Sequence, residues 1–281
     1  MQIIDTHIHC WNFSKAQYEW LKNDTSLLHR TYDIDEIETE RIASGITGGM
    51  LVQSANNFED TDWMLEVAAK NNWIRGVVGW LPLMNSNVTE QVLLEKYKHD
   101  NYFKGVRHLI HDEADPKWLL QPAVIESLEI LAASHLTYDV VGVLPAHIET
   151  VLEIANKVPD LKMVFDHLNQ PPIAAKEKFG VWGSLMKEAS GHKNLYVKIS
   201  GLGTTAKNPD WGTADFQPYI EFAIEHFGVD RCMCGGDWPV SSLAGSYSKT
   251  WSAYKKVINS ILDEAGQNKV YYRNAVDFYS L

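Results

Sequence analysis

Short runs rich in Val, Ile and Leu recur along the chain, separated by stretches in which apolar residues return every three or four positions. Eight runs read as strands: Ile3 to His7, Gly49 to Gln53, Arg75 to Leu81, Lys104 to His108, Leu136 to Gly142, Leu161 to His167, Leu195 to Ser200 and Arg231 to Asp237. Most are continuously apolar rather than alternating, the pattern of parallel strands covered on both faces. Between them, Pro122 opens a segment that places Val124, Ile125, Leu128, Leu131 and Ala132 on one helical face. Ile148, Val151, Leu152 and Ala155 repeat the pattern after Pro145, and Asp215 reads as the N-cap of a helix carrying Tyr219, Ala223 and Phe227. Strand and helix alternating eight times in this length predicts an α/β fold, a single-domain (β/α)8 TIM barrel over residues 1–281. A doubly wound open sheet is the alternative, because one sequence does not reveal strand order. The stretch 11–33 holds Trp11, Tyr18, Trp20 and His29 without periodicity and reads as a lid loop over one end of the barrel.

Charge narrows the partners. Among 281 residues, 25 Lys and Arg face 36 Asp and Glu, a formal net charge of −11 that supplies no basic footprint for nucleic acid or an anionic membrane. Nothing in the pattern sets an oligomeric state. The three cysteines, Cys10, Cys232 and Cys234, suit a reducing compartment. Cys232 and Cys234 lack the second pair that a structural zinc site needs. The N-terminus has no basic segment and meets Asp5 early, so it reads as a strand rather than a signal peptide, and a cytoplasmic location is expected.

A barrel gathers its chemistry at the C-terminal strand ends, and polar side chains stand at those ends here: His7 and His9, Gln53, Trp80, Arg107 and His108, Asp166 and His167, Lys198 and Ser200, Asp237 and Trp238. His7 and His9, two apart on a strand, point to one face. With His167 and Asp237 they form a candidate catalytic cluster that suits one divalent metal such as zinc, with His7, His9 and Asp237 as ligands. The same groups suit metal-independent acid/base and electrostatic catalysis, so both cofactor readings stay open. Arg107 ending an apolar strand is expected either to pair with an acid such as Asp112 or to meet a ligand oxygen. Lys198 is an equal candidate for substrate binding and for a structural ion pair. Trp11, Trp80 and Trp238 offer flat walls for a small ring with apolar and hydroxyl faces, although core packing serves any single tryptophan as well.

The motifs resemble a known family. Ile4-Asp5-Thr6-His7-Ile8-His9 is similar to the opening strand of the amidohydrolase superfamily. Gly76-Val77-Val78-Gly79-Trp80, Gly105-Val106-Arg107-His108, Phe165-Asp166-His167-Leu168-Asn169-Gln170-Pro171-Pro172, Lys198-Ile199-Ser200-Gly201-Leu202, Gly235-Gly236-Asp237-Trp238-Pro239-Val240 and Asn274-Ala275-Val276-Asp277-Phe278-Tyr279 resemble its amidohydrolase-2 branch of sugar lactonases and 2-pyrone-4,6-dicarboxylate lactonase. The resemblance spans the chain. It implies a barrel that hydrolyses a lactone, with Asp237 activating water, His7, His9 and His167 lining the pocket, and Arg107 and His108 binding or polarising the substrate. It implies either zinc or no metal, since the branch contains both kinds. Two departures stand out: no lysine lies beside Arg107-His108, which argues against a binuclear centre, and the fifth strand ends near Tyr138-Asp139 rather than in histidine, which leaves the superfamily's metal-ligand set incomplete and argues against tight metal binding.

A dicarboxylate would need several cations. Arg30, in the lid, is the only second clamp the arginine positions allow beside Arg107. A neutral sugar lactone such as L-fuconolactone or L-rhamnonolactone is therefore the expected small-molecule partner. The alternatives are a metal-dependent decarboxylase or amidohydrolase, a 2-pyrone-dicarboxylate-type lactonase, and a sugar-binding protein without turnover, which would have no use for a clustered base.

Overall fold

A computed structural model of the chain describes residues 1–281. Eight parallel strands lie side by side in chain order: β1 (Ile4–Ile8), β2 (Gly48–Val52), β3 (Ile74–Gly79), β4 (Phe103–His108), β5 (Thr137–Val140), β6 (Met163–Phe165), β7 (Leu195–Ile199) and β8 (Cys232–Cys234). The sheet then returns on itself just past β8. Asp237 N–H donates to the His7 carbonyl at 2.8 Å, His9 N–H donates to the Trp238 carbonyl at 2.7 Å, and Ile8 bridges Trp238. This is a (β/α)8 barrel, and the consecutive strand order excludes the doubly wound alternative.

All eight expected strands form, but β5, β6 and β8 are shorter than their apolar runs. The runs outlast the regular ladder because their final residues turn into the mouth of the barrel, where those after β8 keep only single backbone bonds such as Gly235 N–H to the Ile199 carbonyl at 3.1 Å. Helices pack outside with the expected faces inward: Val124, Leu128 and Leu131 in Pro122–Ala133, and Ile148, Val151, Leu152 and Ala155 in Pro145–Lys157 are buried, while Ile125 and Ala132 are half-covered. Asp215 is not the N-cap of its helix. The helix Thr213–Phe227 starts from Gly212, and Asp215, in its first turn, reaches back to accept the Gly212 N–H at 2.8 Å. A carboxylate there answers the same free donors and the positive helix end, which is why the sequence signal was sound but displaced.

Inside the barrel the layers differ in kind. At the N-terminal end Ile4, Met50, Val52, Val78, Val164 and Met233 pack on Ala275, Phe278 and Tyr279, so the C-terminal helix Asn274–Tyr279 plugs that opening. Above this apolar floor lies a charged layer of Arg107, Asp139, Asp166 and Lys198, all buried. The stretch 11–33 folds over the opposite end. Trp11, Tyr18, Leu21, Leu28 and Tyr32 are buried, and Trp11 meets Trp20 and Tyr32 edge to face at 5.4 and 5.2 Å. Aromatic packing in three dimensions, rather than periodicity, orders the segment.

Candidate active site

The seam that closes the barrel also builds the site, because it ties the ends of β1 and β8 together by backbone hydrogen bonds. Below the seam, Asp5 accepts from Tyr247 Oη at 2.7 Å, Trp251 Nε1 at 3.2 Å, and the N–H groups of His7 and Gly236 at 2.9 and 2.8 Å. Burial nonetheless pushes its pKa up to about 6. This lattice fixes the backbone from which His7 and Asp237 project.

His7 and His9 converge as their spacing predicts, with their Nε2 atoms 3.1 Å apart. The Asp237 carboxylate lies 3.5 Å from His9 Nε2, 3.8 Å from His7 Nε2 and 3.9 Å from His167 Nε2. Burial holds both the His7 and His9 imidazoles below their ordinary pKa of 6.5, His7 well below, so both are neutral. His9 Nδ1 lies 2.7 Å from the Val52 carbonyl, which fixes its proton there and leaves the Nε2 lone pair toward Asp237. His7 Nδ1 lies 3.3 Å from both Asp166 Oδ1 and Lys198 Nζ, and its Nε2 points into the same space. Two imidazole nitrogens and a carboxylate converge on one point, an arrangement that suits a cation.

The donor set fits a divalent metal. Ligand atoms around tetrahedral zinc sit roughly 3.3 Å apart, given bonds of about 2.0–2.1 Å, and the separations here bracket that figure. His7, His167 and Asp237 can also meet, with ligand atoms within 4.8 Å of one another, so His9 and His167 are alternative third donors.

His167 reaches the cluster through an unusual backbone. His167, Leu168, Asn169 and Gln170 all have positive φ, between 50° and 55°, a left-handed turn costing roughly 1–2 kcal/mol per residue. Gly201, at φ +59°, makes room beside it: a Cβ there would lie 2.5 Å from His167 Nδ1 and 3.1 Å from Asp237 Oδ2. Ser200 Oγ accepts the His167 N–H at 3.2 Å and stands 2.9 Å from Nδ1. The hydroxyl thereby holds the ring with Nε2 directed into the mouth.

These groups border a cavity of about 290 Å³. His9, Arg107, His167 and Asp237 line it with Ser54, His111, Gln170, Thr204 and Thr205, against an apolar wall that includes Trp20, Leu109 and Leu243. His7 lies just beneath.

The other sequence-derived positions, Arg107 apart, stand outside the cavity lining. Lys198 is fully buried below His7, paired with Asp139 and, at 3.0 Å, with Asp166. Arg107 pairs with Asp166 at 3.1 Å rather than with Asp112, donates to the Gln53 carbonyl, and keeps Nε without a partner. Gln53 is buried behind Arg107, donating to its carbonyl at 3.0 Å. His108 is held behind the cavity wall by Glu113 at 2.7 Å, Trp80 Nε1 at 3.1 Å and the stacked Trp118 ring. Trp11 and Trp238 pack on Tyr32, and Trp20 is the lid tryptophan that reaches the cavity. Arg30 is no second clamp, because Glu36 grips it at 2.8 and 3.0 Å and its guanidinium stacks on Tyr32. Among the lining residues that the sequence did not single out, Ser54 and Gln170 sit on loops just past strand ends, and Thr204 and Thr205 on the short helix Leu202–Ala206 after β7, so closeness to a strand end is the one signal that marks them.

Comparison with known proteins agrees with this architecture. The chain is 30% identical over 281 residues to an L-fucono-1,5-lactonase of Burkholderia ambifaria, covering 99% of this chain and 95% of that one. It is 27% identical over 227 residues to an L-rhamnono-gamma-lactonase of Scheffersomyces stipitis, covering 72% and 67%. An amidohydrolase of Burkholderia multivorans, solved with bound zinc, superposes with a TM-score of 0.91 at 27% identity over all of both chains. A family model described as amidohydrolase matches residues 4–281, and the chain is therefore an enzyme of the amidohydrolase family.

Proposed function

We propose that the enzyme opens a sugar lactone of the L-fuconolactone or L-rhamnonolactone type to its aldonic acid. The observation that carries this reading is the Asp237 carboxylate, buried at the cavity and faced by three imidazoles but by no lysine or arginine within ion-pair distance. The lactonase relatives support the substrate class, and so does the cavity, whose lining holds Arg107 as its single lysine or arginine and thus disfavours a dicarboxylate.

In this mechanism a water seated between Asp237 and the lactone carbonyl gives its proton to the carboxylate as its oxygen attacks the carbonyl carbon. Without a metal, His167 as an Nε2–H donor and the positive field of Arg107 face the oxygen on which charge develops. Collapse of the tetrahedral adduct breaks the ring C–O bond, and protonated Asp237 returns the proton to the departing alkoxide. Trp20 and the apolar wall hold the C–H face of the sugar, while Thr204, Thr205, Gln170 and His111 meet its hydroxyls. His7, Asp237 and either His9 or His167 would hold a divalent cation, zinc by analogy with the structural relative; bound there, it would supply positive charge that eases deprotonation of water.

The test is acid release, followed with a pH indicator, on L-fucono-, L-rhamnono-, L-galactono- and D-sugar lactones, with and without chelator. Fast turnover of one stereochemical series is expected. Hydrolysis no faster than the spontaneous rate on every lactone, with zinc added as well as removed, would overturn the reading.

A further inference from the structure

A second pocket of about 240 Å³ adjoins the cavity and shares Val143 and Gln170 with it. Nothing in the lactone chemistry derived above uses this space. It is nearly as large as the cavity itself, so each has room for one ring of similar size.

Asn169 lines it and is 2% exposed, with its Oδ1 packed beside Gly142. Asn169 and Gln170 belong to the left-handed turn that also delivers His167 to the cavity, so one strained segment shapes both spaces. Pro145, Phe179 and Trp182 supply apolar walls, and the exposed carboxylate of Glu177 stands at the edge. Leu144 and Val181, 48% and 63% exposed, extend the apolar surface outward, as Trp20 and Leu243 do at the first cavity. Four of the large apolar side chains that this molecule leaves in water therefore rim these two adjoining spaces, where substrate contact would explain them.

The lining selects the occupant. It offers the Glu177 carboxylate as an acceptor and no lysine or arginine, so it suits hydroxyl donors and repels a carboxylate or phosphate. Apolar walls beside an acceptor match a second sugar ring, which shows a C–H face and a rim of hydroxyls. We propose that the second pocket is a glycosyl subsite, and that the enzyme accepts aldonolactones carrying a sugar substituent, the lactone ring lying at Asp237 and the substituent beyond Gln170. The inference rests on the lactonase reading.

The experiment compares kcat/KM for a monosaccharide δ-lactone with that for O-glycosylated lactones of the same ring, differing in linkage position, in the wild type and in Val181→Trp. The substitution sits on an exposed position and fills the pocket. At least one glycosylated lactone should be preferred by the wild type about tenfold or more, and Val181→Trp should remove that preference. Turnover of the monosaccharide lactone with no preference for any glycosylated one, or a preference that Val181→Trp leaves intact, overturns the subsite and spares the lactonase reading. If no lactone is hydrolysed, the lactonase reading fails instead, and calorimetry with the corresponding disaccharide aldonic acids then decides the subsite. Binding that Val181→Trp weakens supports it, and absence of binding to the wild type overturns it.

Discussion

Asp166 and Asp237 are both buried carboxylates just past barrel strands, yet their surroundings make them opposites. Burial pushes the Asp166 pKa up, but Lys198, His7 and Arg107 outweigh it and hold the group well below the usual carboxylate range. It is a fixed anion with every charge answered, and a poor base. Asp237 has only imidazoles around it and opens on the cavity. One region of the barrel interior thus pairs its charges with one another, while the region above it leaves a carboxylate facing the cavity.

The sharpest way to break that contrast is at Asp166. Asp166→Asn leaves Lys198 and Arg107 short of an anion in a buried layer, and removing one member of such a network costs about 3–5 kcal/mol. Urea unfolding should show that loss, and a loss below 1 kcal/mol would mean that the layer is not the closed charge network described. Gly201→Ala tests the mouth instead. The positive φ and the clash with His167 should cost about 1–3 kcal/mol and lower kcat on a lactone more than they raise KM; an unchanged kcat would detach His167 from the chemistry. Trp20→Ala removes an aromatic wall worth about 0.5–1.5 kcal/mol, so KM should rise roughly 3- to 10-fold with kcat kept. A fall in kcat alone would contradict its assignment to binding.

The smallest expected effect comes from the lid anchor. Asp60 accepts from Tyr18 Oη at 2.8 Å and from Ser54 N–H at 2.7 Å, and burial pushes its pKa from 3.8 up to about 6. The folded protein therefore binds this proton before the unfolded chain does. The associated stability is complete below 3.8 and is lost as the pH rises through 6. Between pH 7 and pH 5 the wild type should gain about 1 kcal/mol relative to Asp60→Asn. A constant difference between the two proteins, measured by unfolding at both pH values, would contradict the assignment.

The barrel was legible because eight apolar runs separated by amphipathic stretches leave few alternatives. The His7/His9 pair was legible because strand period alone puts both rings on one face. Other features lie outside local pattern. The acid that pairs with Arg107 is 59 residues away in sequence, so local sequence, which offered only an acid such as Asp112 or a ligand oxygen, does not reveal it. Gln53, Trp80, His108, Lys198, Trp11 and Trp238 stand at or near strand ends as read, yet they face neighbouring loops, the lid or the barrel interior rather than the cavity. The left-handed turn at 167–170 has no glycine to announce it, so the subsite it shapes was invisible before the structure.

The central claim is that Asp237 is the base and is not needed to hold the fold. Lactone turnover and thermal unfolding of Asp237→Asn, measured on the same preparation, test it most directly. Turnover should fall by about 10²–10⁴-fold while the unfolding temperature stays at or above that of the wild type. Turnover within tenfold of the wild type, or a loss of activity that merely follows a loss of folding, would contradict the account.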